Sequence, residues 1–377
     1  MFKYIRNFGL FTLSAVALIS CASASDATIK EPIVLKNNAQ NNIQKTNLAA
    51  NNVIESITYE NLYSYIGERQ YTKVSFNYNL GNLISESKNI TYSTNRLQHF
   101  YHNKLCENIY WYNCETNIAN LDKFSGVNIE SLTSFAKLGI ESVVGYKVKY
   151  NTVDYYGKSH EVSGSILIPQ TKEKLKGVVI AYHHTVLDKN NAPSNFRRDF
   201  FHQSEMLAGA MSAAGYVVVM PDYVGIGEDE SSVHPYIIYP EVNALSGIYM
   251  LKLIDKVDKS IKYQLINDKV SVYLTGYSEG SSYAVWANKI LQDNPEFLSK
   301  NNYTLRRAAP ISGAYNLSKA TFSSLLSSNE SELDFQEGLL QSVIRPGLTA
   351  NVLVSYNTYE TKQDESDIFS AKFANYS

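Results

Sequence analysis

The chain has 377 residues, 44% of them hydrophobic, enough to bury the core of one large domain or two smaller ones. Its 34 basic and 36 acidic residues leave a net charge of −2. That balance gives no electrostatic footprint for nucleic acid or for an anionic membrane surface.

The N-terminus has the layout of an export signal. Lys3 and Arg6 precede an apolar run from Phe8 to Ile19, and small residues follow. The run is shorter than the roughly 20 residues needed to span a bilayer. Residues 1–25 are therefore read as a signal peptide. Two processing routes stay open. Leu18-Ile19-Ser20-Cys21 has the form of a lipobox, in which Cys21 is acylated and becomes the new N-terminus. Ala22-Ser23-Ala24 fits an ordinary A-x-A cut. Either predicts an exported protein: periplasmic, anchored to the outer membrane through Cys21, or secreted.

Residues 26–52 include K-N-N-A-Q-N-N-I-Q-K, which cannot bury enough apolar surface to order itself, and read as a flexible linker. Residues 53–140 mix tyrosines and asparagines with weak helical spacing, and read as an N-terminal extension packed against a main domain. Cys106 and Cys114, eight positions apart, remain once Cys21 is processed. In an exported chain such a pair predicts a local disulfide, with two buried free thiols as the alternative. No zinc site is expected, because His99 and His102 sit among tyrosines without a Cys-x-x-Cys pair. No cofactor is expected either.

From residue 141 to 377 the pattern becomes one of alternating strands and helices. Val144 to Tyr150 and Glu161 to Ile168 are strand-like, joined by the hairpin signal Tyr156-Gly157-Lys158. Val178 to Tyr182 is a continuous apolar run, as expected of a strand buried on both faces. A helix is predicted through Phe196, Phe200, Leu207, Met211 and Ala214, stopped by Gly215. Tyr216 to Met220 is the next strand, Pro240 opens a helix, and Val270 to Leu274 is another strand. A helix with Ala284, Ala287, Ile290 and Leu291 and a strand from Arg306 to Ile311 follow. Strand and helix in alternation predict an α/β fold, a mostly parallel sheet with helices on both faces.

The chemistry concentrates at Gly276-Tyr277-Ser278-Glu279-Gly280. A serine between a buried strand and a helix, with glycines two positions either side, describes a nucleophile turn. The backbone reverses so sharply there that only small residues fit at 276 and 280. The hydroxyl is lifted above the sheet edge at a helix N-terminus.

These stretches together resemble the α/β-hydrolases, and more narrowly the bacterial exported esterases and lipases related to the secretory lipases. The matching segments are Tyr182-His183-His184-Thr185, Met220 to Gly227, His234-Pro235-Tyr236, the turn at Ser278 with Trp286 beyond it, and Ile311 to Leu317. The resemblance implies an α/β-hydrolase fold and a serine carboxylic-ester hydrolase working through an acyl-serine intermediate. The substrate implied is a small-molecule or lipid ester. Ser278 is then the nucleophile, the N–H of Glu279 one oxyanion donor, and the loop at His184 and Thr185 the source of the other. His184 stands where relatives carry glycine, and Asn316 where they often carry aspartate.

In this superfamily the acid and the histidine follow the serine. Here all seven histidines precede Ser278. Lys319 to Leu340 has helical spacing and resembles a lid, so a helical lid is expected over about 314–370, with Val352 to Asn357 near its end. On that reading the strands bearing acid and base lie beyond the sequence, and this chain is a truncated and inactive member. A rival reading makes Ala350 to Tyr356 a strand, with Asp364 or Asp367 as the acid. His183, His184 and His234 are expected to hydrogen-bond locally instead of replacing the missing base. Besides ester hydrolysis, two other functions fit the same fold: a non-catalytic exported lipoprotein and a serine peptidase.

Overall fold

The computed structural model describes residues 76–93, 139–186, 188–196, 209–259, 261, 265, 269–315, 317 and 335–368. Among these, seven strands form one sheet: β1 (Leu83–Ser93), β2 (Ile140–Val153), β3 (Ser159–Thr171), β4 (Gly177–Tyr182), β5 (Tyr216–Pro221), β6 (Val270–Tyr277) and β7 (Tyr303–Ile311). Their order is β1-β2-β3-β5-β4-β6-β7.

The sheet has two halves. β5, β4, β6 and β7 run parallel, as the alternation of strand and helix predicts. β1, β2, β3 and β5 are antiparallel neighbours, because the Gly157 hairpin folds β3 back on β2 and residues 83–93 add a further strand at the edge. The sheet as a whole is mixed, and its central strands are mostly parallel, as the sequence pattern predicts.

Buried apolar runs set the parallel half. Along β4, Val178, Ile180 and Tyr182 enter one core and Val179 and Ala181 the other, the two-residue period of a strand buried on both faces. The crossover helices cover these faces. Helix α1 (Gly209–Ala213) packs on β5, α2 (Pro240–Met250) and α3 (Ile254–Val257) lie between β5 and β6, and α4 (Glu279–Asp293) with α5 (Pro295–Lys300) leads to β7. In α4, Tyr283, Ala284, Ala287, Ile290 and Leu291 form the buried stripe that seats it against the sheet and α2. Removing such side chains from water contributes about 25 cal/mol per Å² of apolar surface.

Two expectations meet the structure differently. Phe196 does not begin a helix; it follows a 3-10 turn, Pro193–Asn195, with φ of 26°. The Asp222 carboxylate accepts from the Ser194 N–H at 2.9 Å and holds that turn against β5. Residues 350–356 are not a strand. They belong to helix α6 (Phe335–Tyr356), continued by a π turn, Asn357–Thr361. A short apolar run such as N-V-L-V-S-Y satisfies strand and helix alike, and burial of Val352, Ser355 and Tyr356 along one helical face decided it. Residues 1–75, including Cys21, as well as Cys106, Cys114 and Asn316, lie outside the described residues.

Candidate active site

β6 ends at Tyr277 and α4 begins at Glu279, leaving Ser278 alone to turn the chain. Ser278 has φ of 55° and ψ of −117°, a conformation L residues rarely hold. Such strain costs on the order of 1–3 kcal/mol and persists only where the surroundings enforce it. Here the Ser278 N–H donates to the Ile311 carbonyl on β7 at 3.0 Å, and the Ser281 N–H to the Ser278 carbonyl at 3.1 Å. The two glycines let the turn close. A Cβ on Gly276 would lie 2.1 Å from the Gly280 carbonyl oxygen, and one on Gly280 would lie 2.2 Å from the Tyr182 carbonyl oxygen. Gly280 thus brings the start of α4 onto the end of β4. The serine itself is half-buried.

The segment leaving β4 carries His183, His184 and Thr185. His183 is buried, with its ring stacked on Tyr223 at 3.9 Å. Its Nδ1 is 2.6 Å from the His184 carbonyl oxygen and its Nε2 3.2 Å from that of Asp222. Burial lowers its pKa to about 4, so it stays neutral at neutral pH. It orders the loop locally, as expected. His184 lies beside Tyr277, ring centroids 6.5 Å apart. Thr185 Oγ1 is 2.8 Å from the hydroxyl of Tyr236.

The partner of Glu279 was not legible in the sequence. Its side chain is buried, and its Oε1 lies 2.6 Å from His234 Nε2 and accepts from the Tyr283 hydroxyl at 2.6 Å. Burial would push the carboxyl up; the His234 ring, His183 and the Tyr283 hydroxyl outweigh it and hold Glu279 below its ordinary value. The other nitrogen of His234, Nδ1, is 2.8 Å from the Val224 carbonyl oxygen. Both partners are acceptors, the Glu279 carboxylate and the Val224 carbonyl.

The loop from 222 to 236 is held at several points. Asp222 accepts from the Ser163 hydroxyl at 2.6 Å, and burial raises its pKa to about 6. Glu228 pairs with Lys147 at 2.7 Å. Asp229 meets His160 at 2.6 Å and the Gly225 N–H at 2.8 Å. These acids shape the turn. Asp364, the candidate acid, is exposed and accepts from the N–H and hydroxyl of Ser366, which hold it below its ordinary value. Among the described residues no group of three His, Cys, Asp or Glu side chains is placed to hold a metal ion.

A half-parallel sheet with an antiparallel meander on one side, and a strained serine between β6 and α4, define an α/β-hydrolase fold. More narrowly, residues 196–297, which take in the Glu279–His234 pair and the elbow, match the family model described as secretory lipase. A protein of Legionella pneumophila, provisionally described as a hydrolase, superposes with a TM-score of 0.53 at 22% identity, over 74% of this chain and 62% of its own. The rice cell wall degrading esterase LipA of Xanthomonas oryzae superposes with a TM-score of 0.50 at 22% identity, over 72% of this chain and 60% of its own. The chain thus spans about 60% of the length of these solved structures. None of the curated proteins matches it.

Proposed function

We propose that the chain is a serine carboxylic-ester hydrolase of the exported esterase and lipase kind, acting on small-molecule or lipid esters. The observation that carries this reading is Ser278 at positive φ between β6 and a 15-residue α4, with no room for a Cβ at Gly276 or Gly280. The Ser278 hydroxyl attacks the ester carbonyl, the alcohol leaves, and water releases the acid from the acyl-serine. The N–H of Glu279 and one from His184 or Thr185 stabilise the oxyanion. The match to the secretory lipase model and the likeness to the Xanthomonas esterase support the class.

The general base is the open part of the site. Among the described histidines, His160, His183 and His234 have ring nitrogens engaged with Asp229, backbone carbonyls and Glu279. These 377 residues are therefore expected to turn over esters only at the residual rate that an oxyanion hole and binding supply. Export follows from the signal at residues 1–25, with Cys21 as the membrane anchor if the lipobox is used.

A fluorophosphonate probe tests the nucleophile. The purified chain takes up the label and Ser278→Ala does not. A chain that takes up none is a non-catalytic exported lipoprotein on this fold. Label uptake with cleavage of peptide amides in preference to p-nitrophenyl esters would assign a peptidase instead.

A further inference from the structure

We propose that the turn His234-Pro235-Tyr236 is a brace for both sides of the oxyanion hole, with His234 and Tyr236 as positioning residues. The proposal rests on the reading of Ser278 as nucleophile, with Glu279 and the His184-Thr185 segment supplying the N–H donors. Neither brace residue acts on the substrate; each acts through its neighbour.

Two contacts define the brace. His234 Nε2 is 2.6 Å from the Glu279 carboxylate, on the α4 side of the hole. The Tyr236 hydroxyl is 2.8 Å from Thr185 Oγ1, on the β4 side. Only Pro235 separates the two, and its ring fixes φ, so a displacement of one contact is transmitted to the other. The turn is also anchored from behind. His234 Nδ1 meets the Val224 carbonyl at 2.8 Å, and Asn243 donates to the Pro235 carbonyl at 3.2 Å. From α6, the Ser355 hydroxyl donates to the His234 carbonyl and accepts from the Tyr236 N–H at 3.1 Å. The Tyr359 hydroxyl, in the π turn beyond α6, donates to the Val233 carbonyl.

Burying a carboxylate with its polar partner is expensive and contributes little net stability over an apolar replacement. What it fixes is position. An oxyanion hole acts only if its donors are already aimed at the developing charge, and small displacements cost rate. The pair lies where that demand is greatest, one residue beyond the serine.

The test compares His234→Ala, His234→Gln and Tyr236→Phe with the unaltered chain, reading the fluorophosphonate labelling rate, kcat and KM for p-nitrophenyl butyrate, and Tm. His234→Ala and Tyr236→Phe are expected to slow labelling and kcat about 10- to 100-fold. KM should stay within about 2-fold, since donors aimed at the oxyanion act in the transition state. His234→Gln, whose amide can still donate to Glu279, restores most of the labelling rate. Tyr236→Phe keeps the buried ring, so it reports on the hydroxyl even if the alanine variant fails to fold. Unchanged labelling and kcat in Tyr236→Phe, or a glutamine variant no better than alanine, would overturn the proposal. A parent chain that neither labels nor turns over would sink the nucleophile reading alone. Amide hydrogen exchange over 182–186 and 276–283 then decides: exchange faster by about 10-fold in both segments supports the brace, and unchanged exchange overturns it.

Discussion

The carboxylate of Glu279 lies 2.6 Å from Nε2 of His234, a residue 45 positions earlier in the chain. The contact ties the first turn of α4, at the residue after the serine, to the loop after β5. Removing the Glu279 carboxylate leaves His234 Nε2 and the Tyr283 hydroxyl both without their partner, at about 1–3 kcal/mol for each. Glu279→Ala should lose that much in urea unfolding. Glu279→Gln, which keeps the shape and an acceptor, should lose about 1–3 kcal/mol. Equal losses in the two variants would mean that volume, and not the pairing, matters there.

Gly280 faces backbone, which cannot swing aside. An alanine there sets its Cβ 2.2 Å from the Tyr182 carbonyl oxygen and 2.4 Å from that of His183. Gly280→Ala should therefore cost about 1–3 kcal/mol as α4 moves off β4. Fluorophosphonate labelling should fall with it. Gly157→Ala is the control: φ is +76°, yet nothing lies within 4 Å of the added carbon. It should cost about 1–2 kcal/mol through backbone strain and leave labelling unchanged.

The His160–Asp229 contact gives the loop after β5 a pH dependence. The hydrogen bond to Asp229 raises the His160 pKa above 6.5, against the opposing effect of burial. A raised histidine stabilises the fold fully below the unfolded pKa, and the benefit is lost as pH rises through the folded one. For Asp229, burial pushes upward, but the hydrogen bonds from His160 and the Gly225 N–H bring it to about 2. It therefore stays ionised throughout the histidine's range. The stability advantage of the unaltered chain over His160→Gln should shrink between pH 6 and pH 8, read as the difference in urea midpoints. A constant difference would remove His160 from the account.

Glu360 fastens the end of α6. It accepts from the hydroxyls of Tyr155 and Tyr239, the latter at 3.2 Å, amid rings of Tyr155, Tyr239 and Tyr359 with centroids 4.6–5.5 Å apart. Glu360→Ala leaves two phenols without their acceptor and should cost about 1–3 kcal/mol. Amide exchange over 352–361 should rise before that of β4 or β6. Equal protection of both segments would show that ring packing alone holds α6.

The serine turn was readable because its constraints are local. Two glycines flank the serine where a strand ends and a helix begins, and the order of strands and helices from 141 onward follows from hydrophobic period. What was missed depends on distant partners. Residues 83–93 carry no strand pattern strong enough to place them; they become an edge strand because β2 offers hydrogen-bonding groups along Ser142–Tyr150. Glu279 was singled out for its N–H alone, since no local pattern says which loop will face its carboxylate. His234 was expected to hydrogen-bond locally, which it does through Val224, while its second nitrogen reaches across to α4. The run at 350–356 fits either period, and only its tertiary neighbours select the helix.

The chain reaches β1 by way of two helices, α2 and α5. β1 is the outermost strand on one side, and β6, which ends at the serine turn, stands five positions across. At about 4.8 Å per strand that is roughly 24 Å of intervening sheet. Yet Phe76, seven residues before β1, stacks on Phe297 of α5 with ring centroids 4.5 Å apart, and the Asn77 N–H donates to the Tyr249 hydroxyl of α2 at 3.2 Å. The edge strand farthest from the serine turn is thus fastened, through the residues that lead into it, to helices that cover the parallel half.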